Sequence, residues 1–289
     1  MSAEREAVPN SEAGGPEPSQ GSGQLWSRVV LMNEKLWKHP ASVVETVGDH
    51  MLLLGRSMFW LAKPPFRITV MLEAMEFIGV QSLMIVSLIG TFVGMVFALQ
   101  LTSALRQFGT ESFVGATLGI ALTRELAPVF TSIVVAARAG AGIATELGSM
   151  RITEQIDALA TMAVNPIQYL VTPRIVAAII MVPLLTMIFN LVAMLGGYGV
   201  AVGLLNVDRG AFVENARWVV DSKDMIQGVV KATIFGGALS LISCYQGFNA
   251  SGGAKGVGIG TTRAVVGSFV SILVLDYFLT DIILTLQKR

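Results

Sequence analysis

The sequence is poor in charged residues, cysteine and histidine. Charged side chains account for only 14% of the 289 residues, hydrophobic ones account for 53%, and the mean hydropathy is +0.66. A chain this apolar falls outside the composition of an ordinary soluble domain, so we expect an integral membrane protein. The single cysteine, Cys244, cannot form an intrachain disulfide, which excludes a disulfide-bonded scaffold. The formal net charge is zero with no long basic run, which argues against nucleic acid as a partner.

Catalytic and nucleotide-binding motifs are also missing. A membrane-embedded lipid enzyme would need convergent acid-base or metal-binding groups, but His39 and His50 precede the apolar stretches and Cys244 has no base nearby in sequence. There is no G-x-x-x-x-G-K-[ST] phosphate loop, and the glycine-rich segment 252–260 is better explained as a flexible connector. We therefore expect the chain to hold no cofactor of its own, and any ATP must be hydrolysed by another polypeptide.

The amino-terminal region differs from the rest of the chain. Residues 1–24 are rich in Glu, Pro, Gly and Ser and have no apolar core, which predicts a disordered cytoplasmic tail. Residues 25–67 combine tryptophan, basic side chains and short apolar periodicities, which is typical of amphipathic helices in the headgroup layer; a small cytosolic helical hairpin is the alternative. Pro64-Pro65 then breaks the chain, and residues 68–289 form the predicted transmembrane domain.

Five predominantly apolar stretches are each long enough to cross roughly 30 Å of hydrocarbon at about 1.5 Å per residue. They lie within 77–105, 112–137, 175–205, 226–245 and 264–284. The distribution of Lys and Arg places the amino-terminal region and the segments 138–174 and 255–263 on the cytoplasmic side. Closely spaced glycines, such as Gly90 with Gly94 and Gly199 with Gly203, predict close approach of helix backbones. The predicted fold is an all-α integral membrane protein with amino-terminal interfacial helices and five transmembrane helices.

Charged residues within the spans are the first functional candidates. Arg124 and Glu125 lie in the second span, and an intramembrane charge pair is by default a functional-site hypothesis. Pro128 deprives the carbonyl of Arg124 of its helical partner, which predicts a polar pocket at a kinked turn.

Lys231, near the outer end of the fourth span, could join Arg124 in donating to a lipid phosphate. Alternatively, Arg124 and Glu125 pair with other helices for packing, and Lys231 snorkels outward. Two further candidates for lipid contact lie at the outer end of the first span: Leu99 and Gln100.

The segment between the second and third spans carries a second candidate site. Apolar and polar residues alternate there at helical spacing, with Ile152, Ile156, Leu159 and Ala163 on one side and Glu154, Gln155, Asp157 and Thr161 on the other. The pattern predicts a short amphipathic helix that ends at Asn165-Pro166. Two interpretations stay open: an interfacial connector, or a helix that docks a soluble partner.

Several motifs occur in an order that resembles the MlaE (YrbE) family of ABC-transporter permeases. They are Leu122-Thr-Arg-Glu-Leu-Ala-Pro128, Ala137-Arg-Ala-Gly140, Glu146-Leu-Gly148, Thr153-Glu-Gln-Ile-Asp-Ala-Leu159, Asn165-Pro166, Thr172-Pro-Arg174, Gly260-Thr-Thr-Arg263 and Leu275-Asp-Tyr-Phe-Leu-Thr280. The similarity covers 64–280. One departure is Ala127, where the family usually has glycine, which weakens the argument for close backbone approach at that point.

The resemblance implies a homodimeric permease in the bacterial inner membrane that moves phospholipids or related lipids. The implied partners are a cytoplasmic ABC ATPase, an MCE-domain protein on the outer side and often a STAS-domain subunit, with a lipid cavity that opens outward between the two copies. The resemblance also makes the helix around 153–162 a cytoplasmic coupling helix. The residues expected to couple to the ATPase are Arg151, Thr153, Glu154, Gln155, Asp157 and Leu159.

A proton-coupled secondary carrier is the alternative function. Such a carrier would use intramembrane carboxylates, and the last span contains Asp276 and Asp281. The sequence shows no inverted pair of broken helices, which argues against this class, and packing or capping is the simpler role for both residues.

Overall fold

The computed structural model describes residues 47–60 and 67–287. The predicted tail 1–24 and most of the predicted interfacial segment 25–67 lie outside these residues. The described part of the chain is helical and contains no strand. Helix α1 covers 47–60, and Ser57 near its end is buried and donates a 3.1 Å hydrogen bond to Thr172 Oγ1.

Five long helices follow α1 in the described chain, and each is long and apolar enough to cross a membrane. They are α2 (Ile68–Arg106), α3 (Glu111–Ile152), α5 (Ile167–Gly203), α7 (Ser222–Phe248) and α8 (Gly253–Gln287). Two short helices connect them: α4 (Gln155–Thr161) and α6 (Arg209–Val219). The predicted all-α membrane fold, with five spans in this order, is confirmed.

The short helices mark the two ends of the helical bundle. Consecutive spans with short connections run in opposite directions, so α4, between α3 and α5, lies at the end opposite to α6, between α5 and α7. At the second end, α6 packs on the start of α3, where Asn215 Nδ2 donates a 2.8 Å hydrogen bond to the carbonyl oxygen of Ser112. We call the two ends the 155–161 end and the 209–219 end.

The second span continues well beyond its predicted boundary. The apolar pattern ends at Ala137, but α3 continues to Ile152 with Arg138 inside it. The Arg138 guanidinium donates to the carbonyl oxygen of Phe77 and to the side chains of Gln81 and Ser82, all on α2. A charge that has hydrogen-bond partners on a neighbouring helix need not end a span. The boundary predicted from the charge of Arg138 was therefore too early, and the helix is longer than expected.

Four five-residue π-helical turns occur in the long helices. Three lie inside α2 and α3, at Glu76–Val80, Leu122–Leu126 and Ala136–Gly140, and the fourth, Ile167–Val171, begins α5. Such turns are rare and occur frequently at functional sites. The turn Leu122–Leu126 contains Arg124 and Glu125, and Pro128 lies at the start of the α-helical segment that follows it. The proline thus follows a widened turn, in the place where the sequence predicted a kink.

Helices α2 and α5 approach each other closely through glycine. A Cβ atom added at Gly94 would collide with the carbonyl oxygen of Ala193, and one added at Gly196 would lie 2.6 Å from the carbonyl oxygen of Thr91. Gly199 and Gly203, in contrast, have open space around them. Close backbone approach, predicted from glycine spacing within or between subunits, therefore holds at the α2–α5 contact, whereas Gly199 and Gly203 have no neighbour in the described part of the chain.

Candidate functional site

Lys231 of α7 lies at the centre of a group of charged side chains from three spans. Its side chain is fully buried, and its Nζ donates to Glu125 Oε2 at 2.5 Å, to Asp276 Oδ1 at 2.9 Å and to Thr280 Oγ1 at 2.7 Å. An ammonium group has three protons to donate, so these three partners use all of them. The contacts join α7 to α3 through Glu125 and to α8 through Asp276 and Thr280.

Arg124 points to a different partner from the adjacent Glu125. Its Nε and Nη2 both lie 2.8 Å from Asp224 Oδ1, and the Asp224 side chain is only 3% exposed. Asp224 Oδ2 also accepts from the backbone N–H of Asp221, as part of the capping box that begins α7. Arg124 therefore fixes the start of α7 against the π-helical turn of α3.

We call Arg124, Glu125, Asp224, Lys231 and Asp276 the ionic cluster. Its two cations and three carboxylates leave one excess negative charge when all are ionised, and every member has an oppositely charged partner. Charges within a membrane are tolerated when they are paired in this way. The cluster is not fully enclosed, because the side chains of Glu125 and Arg124 remain 39% and 33% exposed.

The cluster extends inward along α7 from the first turn of that helix. Helix α7 begins at Ser222 and Asp224 lies in its first turn, whereas a rise of about 1.5 Å per residue places Lys231 about 14 Å along the helix axis. The Lys231 side chain is enclosed and paired with two carboxylates, so it does not snorkel outward as one of the two interpretations proposed. Arg124 and Glu125 do pair with other helices, as that interpretation expected. A role of these residues in binding lipid stays a prediction.

The remaining lipid-contact candidates lie apart from the ionic cluster. Leu99 is 43% exposed and lines a separate cavity of about 400 Å³ at the end of α2, together with Thr102, Arg106 and Leu205. Gln100 is exposed on the same helix. Within the described residues, no group of three or more His, Cys, Asp and Glu side chains is placed to hold a metal ion.

Sequence reasoning missed two members of the polar network around Lys231 and Arg124, Asp224 and Thr280, and it named a third, Asp276, without its partner. Asp224 is buried in the first turn of α7. Asp276 and Thr280 are four residues apart in α8 and therefore share one face of that helix, which was the available signal that both contact one partner.

The predicted coupling segment contains a helix, but one shorter than the periodicity suggested. Helix α3 ends at Ile152, Glu154 adopts a left-handed conformation with φ of 58°, and α4 covers only Gln155–Thr161. The apolar pattern that links Ile152 to Ile156 is thus divided between two helices. Ile156 is buried, whereas Asp157 is exposed and forms a 2.7 Å ion pair with Arg151.

The face of α4 and its preceding turn is largely polar and exposed. Thr153, Glu154 and Gln155 are exposed, and Leu159 is half-buried against the core. Thr153 Oγ1 donates a 2.8 Å hydrogen bond to the carbonyl oxygen of Ser149, which closes the last turn of α3. These positions fit either a connector or a docking surface, and their contact with an ATPase stays a prediction.

Comparison with known proteins gives the family. The model of the permease MlaE family matches residues 71–282, which include the ionic cluster and α4. A probable ABC transporter permease protein of Rickettsia typhi is 39% identical over 246 residues, covering 85% of this chain and 95% of the relative. The intermembrane phospholipid transport system permease protein MlaE of Haemophilus influenzae is 36% identical over 246 residues, covering 82% and 94%.

A plant relative extends the comparison beyond bacteria. The chloroplastic protein TRIGALACTOSYLDIACYLGLYCEROL 1 of Arabidopsis thaliana is 35% identical over 210 residues, covering 73% of this chain and 60% of the relative. The resemblance inferred from the motifs is confirmed by the match over 71–282. This chain belongs to the MlaE family of ABC-transporter permeases.

Proposed function

We propose that this permease moves phospholipids, or related lipids, between the bacterial inner membrane and an MCE-domain carrier protein on the outer side, powered by a separate ABC ATPase. The observation that carries the proposal is the partly exposed ionic cluster within the spans, in a chain that is 36% identical to a phospholipid-transport permease. A charged site within the spans suits a polar headgroup that must pass through hydrocarbon.

In this proposal the lipid binds between two copies of the chain. Only 6% of the most apolar 18-residue stretch of α8 is buried. Its side chains include Val274, Tyr277 and Phe278, which are 50%, 71% and 56% exposed. A second copy packed on this face would cover them. Because α8 also carries Asp276, such a contact brings the ionic cluster close to the space between the copies.

Each predicted lipid-contact residue then has a distinct role. Arg124 keeps a third of its side chain exposed and is the proposed donor to the lipid phosphate. Lys231 is fully engaged and holds Glu125 in position instead of contacting lipid directly. Leu99 and Gln100 are the proposed contacts for acyl chain and headgroup near the end of α2.

The 155–161 end is the proposed site of the ATPase. We assign this end to the cytosol, where the exposed side chains of Thr153, Glu154, Gln155 and Asp157 contact the ATPase. Arg151 and Leu159 stabilise the positions of these side chains. ATP binds to the partner and not to this chain. A STAS-domain subunit is a further proposed partner on the same side of the membrane.

Co-purification tests the proposed assembly. Mass spectrometry of the purified chain should identify an ABC ATPase and a phospholipid. Asp157→Lys should reduce the recovered ATPase at least tenfold, since it reverses the charge of an exposed side chain on α4, whereas Glu214→Lys, a matched change on α6, should not. A folded Asp157→Lys protein that retains the ATPase would contradict the assignment.

The second candidate function is the proton-coupled carrier. It is favoured by one observation: Glu125 and Asp276 share the single ammonium group of Lys231 within the spans. In our proposal this arrangement is structural, because the ammonium group keeps both carboxylates compensated. Asp281 is exposed near the end of α8.

A further inference from the structure

A second apolar site lies beside the 209–219 end, separate from the ionic cluster and from α8. It is a groove of about 600 Å³ between α3, α5, α6 and the start of α7. This volume is within the range of roughly 300–1,000 Å³ that small ligands occupy. The wall is mostly apolar and includes Leu122, Met187, Met194 and Met225. Methionine side chains adapt to flexible apolar ligands.

The groove has a cation at its edge. Arg217 lines it from the last turn of α6, is exposed, and forms no hydrogen bond or ion pair with any residue of the described chain. The adjacent Trp218 is 84% exposed. Arginine and tryptophan together on a short helix at the end of a span are typical of the headgroup layer of a membrane.

The wall also contains one unsatisfied polar group. Asn190 of α5 lines the groove, and its buried Oδ1 accepts no hydrogen bond from the part of the chain that the structure describes. A buried side-chain amide without a partner is unusual. An ester oxygen of a glycerolipid only accepts hydrogen bonds, so it would satisfy this side chain with the amide turned by 180°, which places the Nδ2 donor at the buried position.

We propose that this groove binds one phospholipid from the membrane leaflet at the 209–219 end. One acyl chain occupies the apolar groove, and the Arg217 guanidinium donates to the phosphate. The charge complementarity between a free arginine and a phosphate argues for this occupant. The position of Leu191 also argues for a lipid, because this apolar side chain lines the groove and is 61% exposed.

A lipid in this groove lies against the neighbours of one pair in the ionic cluster. Leu122 and Thr123 line the groove and precede Arg124 in the same π-helical turn, and Met225 follows Asp224. Arg124 and Asp224 are joined at 2.8 Å. A bound acyl chain would therefore contact both backbone segments from which this ion pair projects.

Site-specific photo-cross-linking tests the proposal without ATP or any partner, so its outcome is independent of the proposed transport function. The full chain, with benzoylphenylalanine in place of Leu191, is placed in phosphatidylglycerol–phosphatidylcholine nanodiscs and irradiated, and the adducts are identified by mass spectrometry. We expect a phospholipid adduct whose yield falls about tenfold in Arg217→Gln. Arg209→Gln, a matched change on α6 outside the groove, should leave the yield unchanged.

Two further variants complete the test. The same photo-reactive group at Leu195, one turn along α5 and outside the groove, reports bulk lipid and should not respond to Arg217→Gln. Ala216→Phe fills the groove and should abolish the Leu191 adduct even if Arg217→Gln fails to fold. Equal Leu191 yields with and without Arg217, adduct retained in Ala216→Phe, or a polypeptide in place of the phospholipid, would each overturn the proposal.

Discussion

Lys231 shows how a lysine can lie deep in a membrane span. Its aliphatic stem is enclosed by α7 and its neighbours, and its three protons each have an oxygen partner within 2.9 Å. Removing the ammonium group leaves Glu125 and Asp276 without compensation in a medium of low dielectric constant, which is far more costly than losing an exposed ion pair.

The first prediction concerns this residue. Lys231→Met should destabilise the protein by about 3–5 kcal/mol, the usual cost of removing one partner of a buried ion pair, and lower the midpoint of thermal unfolding in detergent. Lys223→Met, in the exposed first turn of the same helix, should leave the midpoint nearly unchanged. Adding Asp276→Asn to Lys231→Met should restore part of the stability, and no recovery would contradict the charge argument.

A second prediction concerns the Arg124–Asp224 pair. In a double-mutant cycle of Arg124→Gln and Asp224→Asn, the coupling energy should be about 0.5–3 kcal/mol, as found for contacting residues. Thermal unfolding of the parent, the single variants and the double variant gives this energy. Additive effects would show that the 2.8 Å contact contributes nothing to stability.

At this scale the sequence identified the residues but not their partners. Arg124, Glu125 and Lys231 stand out because a charge in an apolar span needs a reason. Asp224, however, is 100 residues from Arg124, and Asp276 is 45 residues from Lys231. Those pairings depend on helix packing, which no local pattern encodes.

At the scale of helices, the contact between α2 and α5 depends on glycine. In lipid, helices gain little from the hydrophobic effect when they associate, so close backbone packing carries more of the stability. Gly94 is the tightest point of this contact, since any Cβ atom there meets the backbone of Ala193.

The third prediction uses two glycines as a matched pair. Gly94→Ala should lower the unfolding midpoint because α2 and α5 must move apart to accommodate the methyl group. Gly199→Ala, in α5 with open space around it, should raise the midpoint slightly, because alanine favours a helix over glycine by up to about 1 kcal/mol. If both variants behave alike, the contact is not limited by backbone approach.

Helix number and order were predictable from apolar runs, whereas boundaries were not. The second span passes through Arg138 because side chains of α2 satisfy that charge. The predicted coupling helix is shorter than expected because Glu154 adopts a left-handed backbone conformation. Glutamate rarely adopts this conformation, so the sequence gave no reason to expect a break there. Both differences come from tertiary contacts or local geometry that composition cannot report.

At the scale of the whole molecule, the exposed surface of α8 is where the proposed second copy would pack. The fourth prediction is that Val274→Cys, in a Cys244→Ala background, forms a disulfide between two copies on mild oxidation in membranes. Leu195→Cys on α5, which is similarly exposed, should not. Denaturing electrophoresis without reductant reads the result, and equal cross-linking at both positions would contradict a specific contact through α8.

We propose that lipid movement by this permease requires a separate ATPase. Transfer of a fluorescent phospholipid from proteoliposomes to an MCE-domain acceptor protein tests it most directly, with the permease alone and with the ABC ATPase that co-purifies with it. We expect transfer only when the ATPase and ATP are both present, and we expect it to be lost in Asp157→Lys. Transfer by the permease alone, driven by a proton gradient, would show that the ATPase is not required and establish a proton-coupled carrier instead.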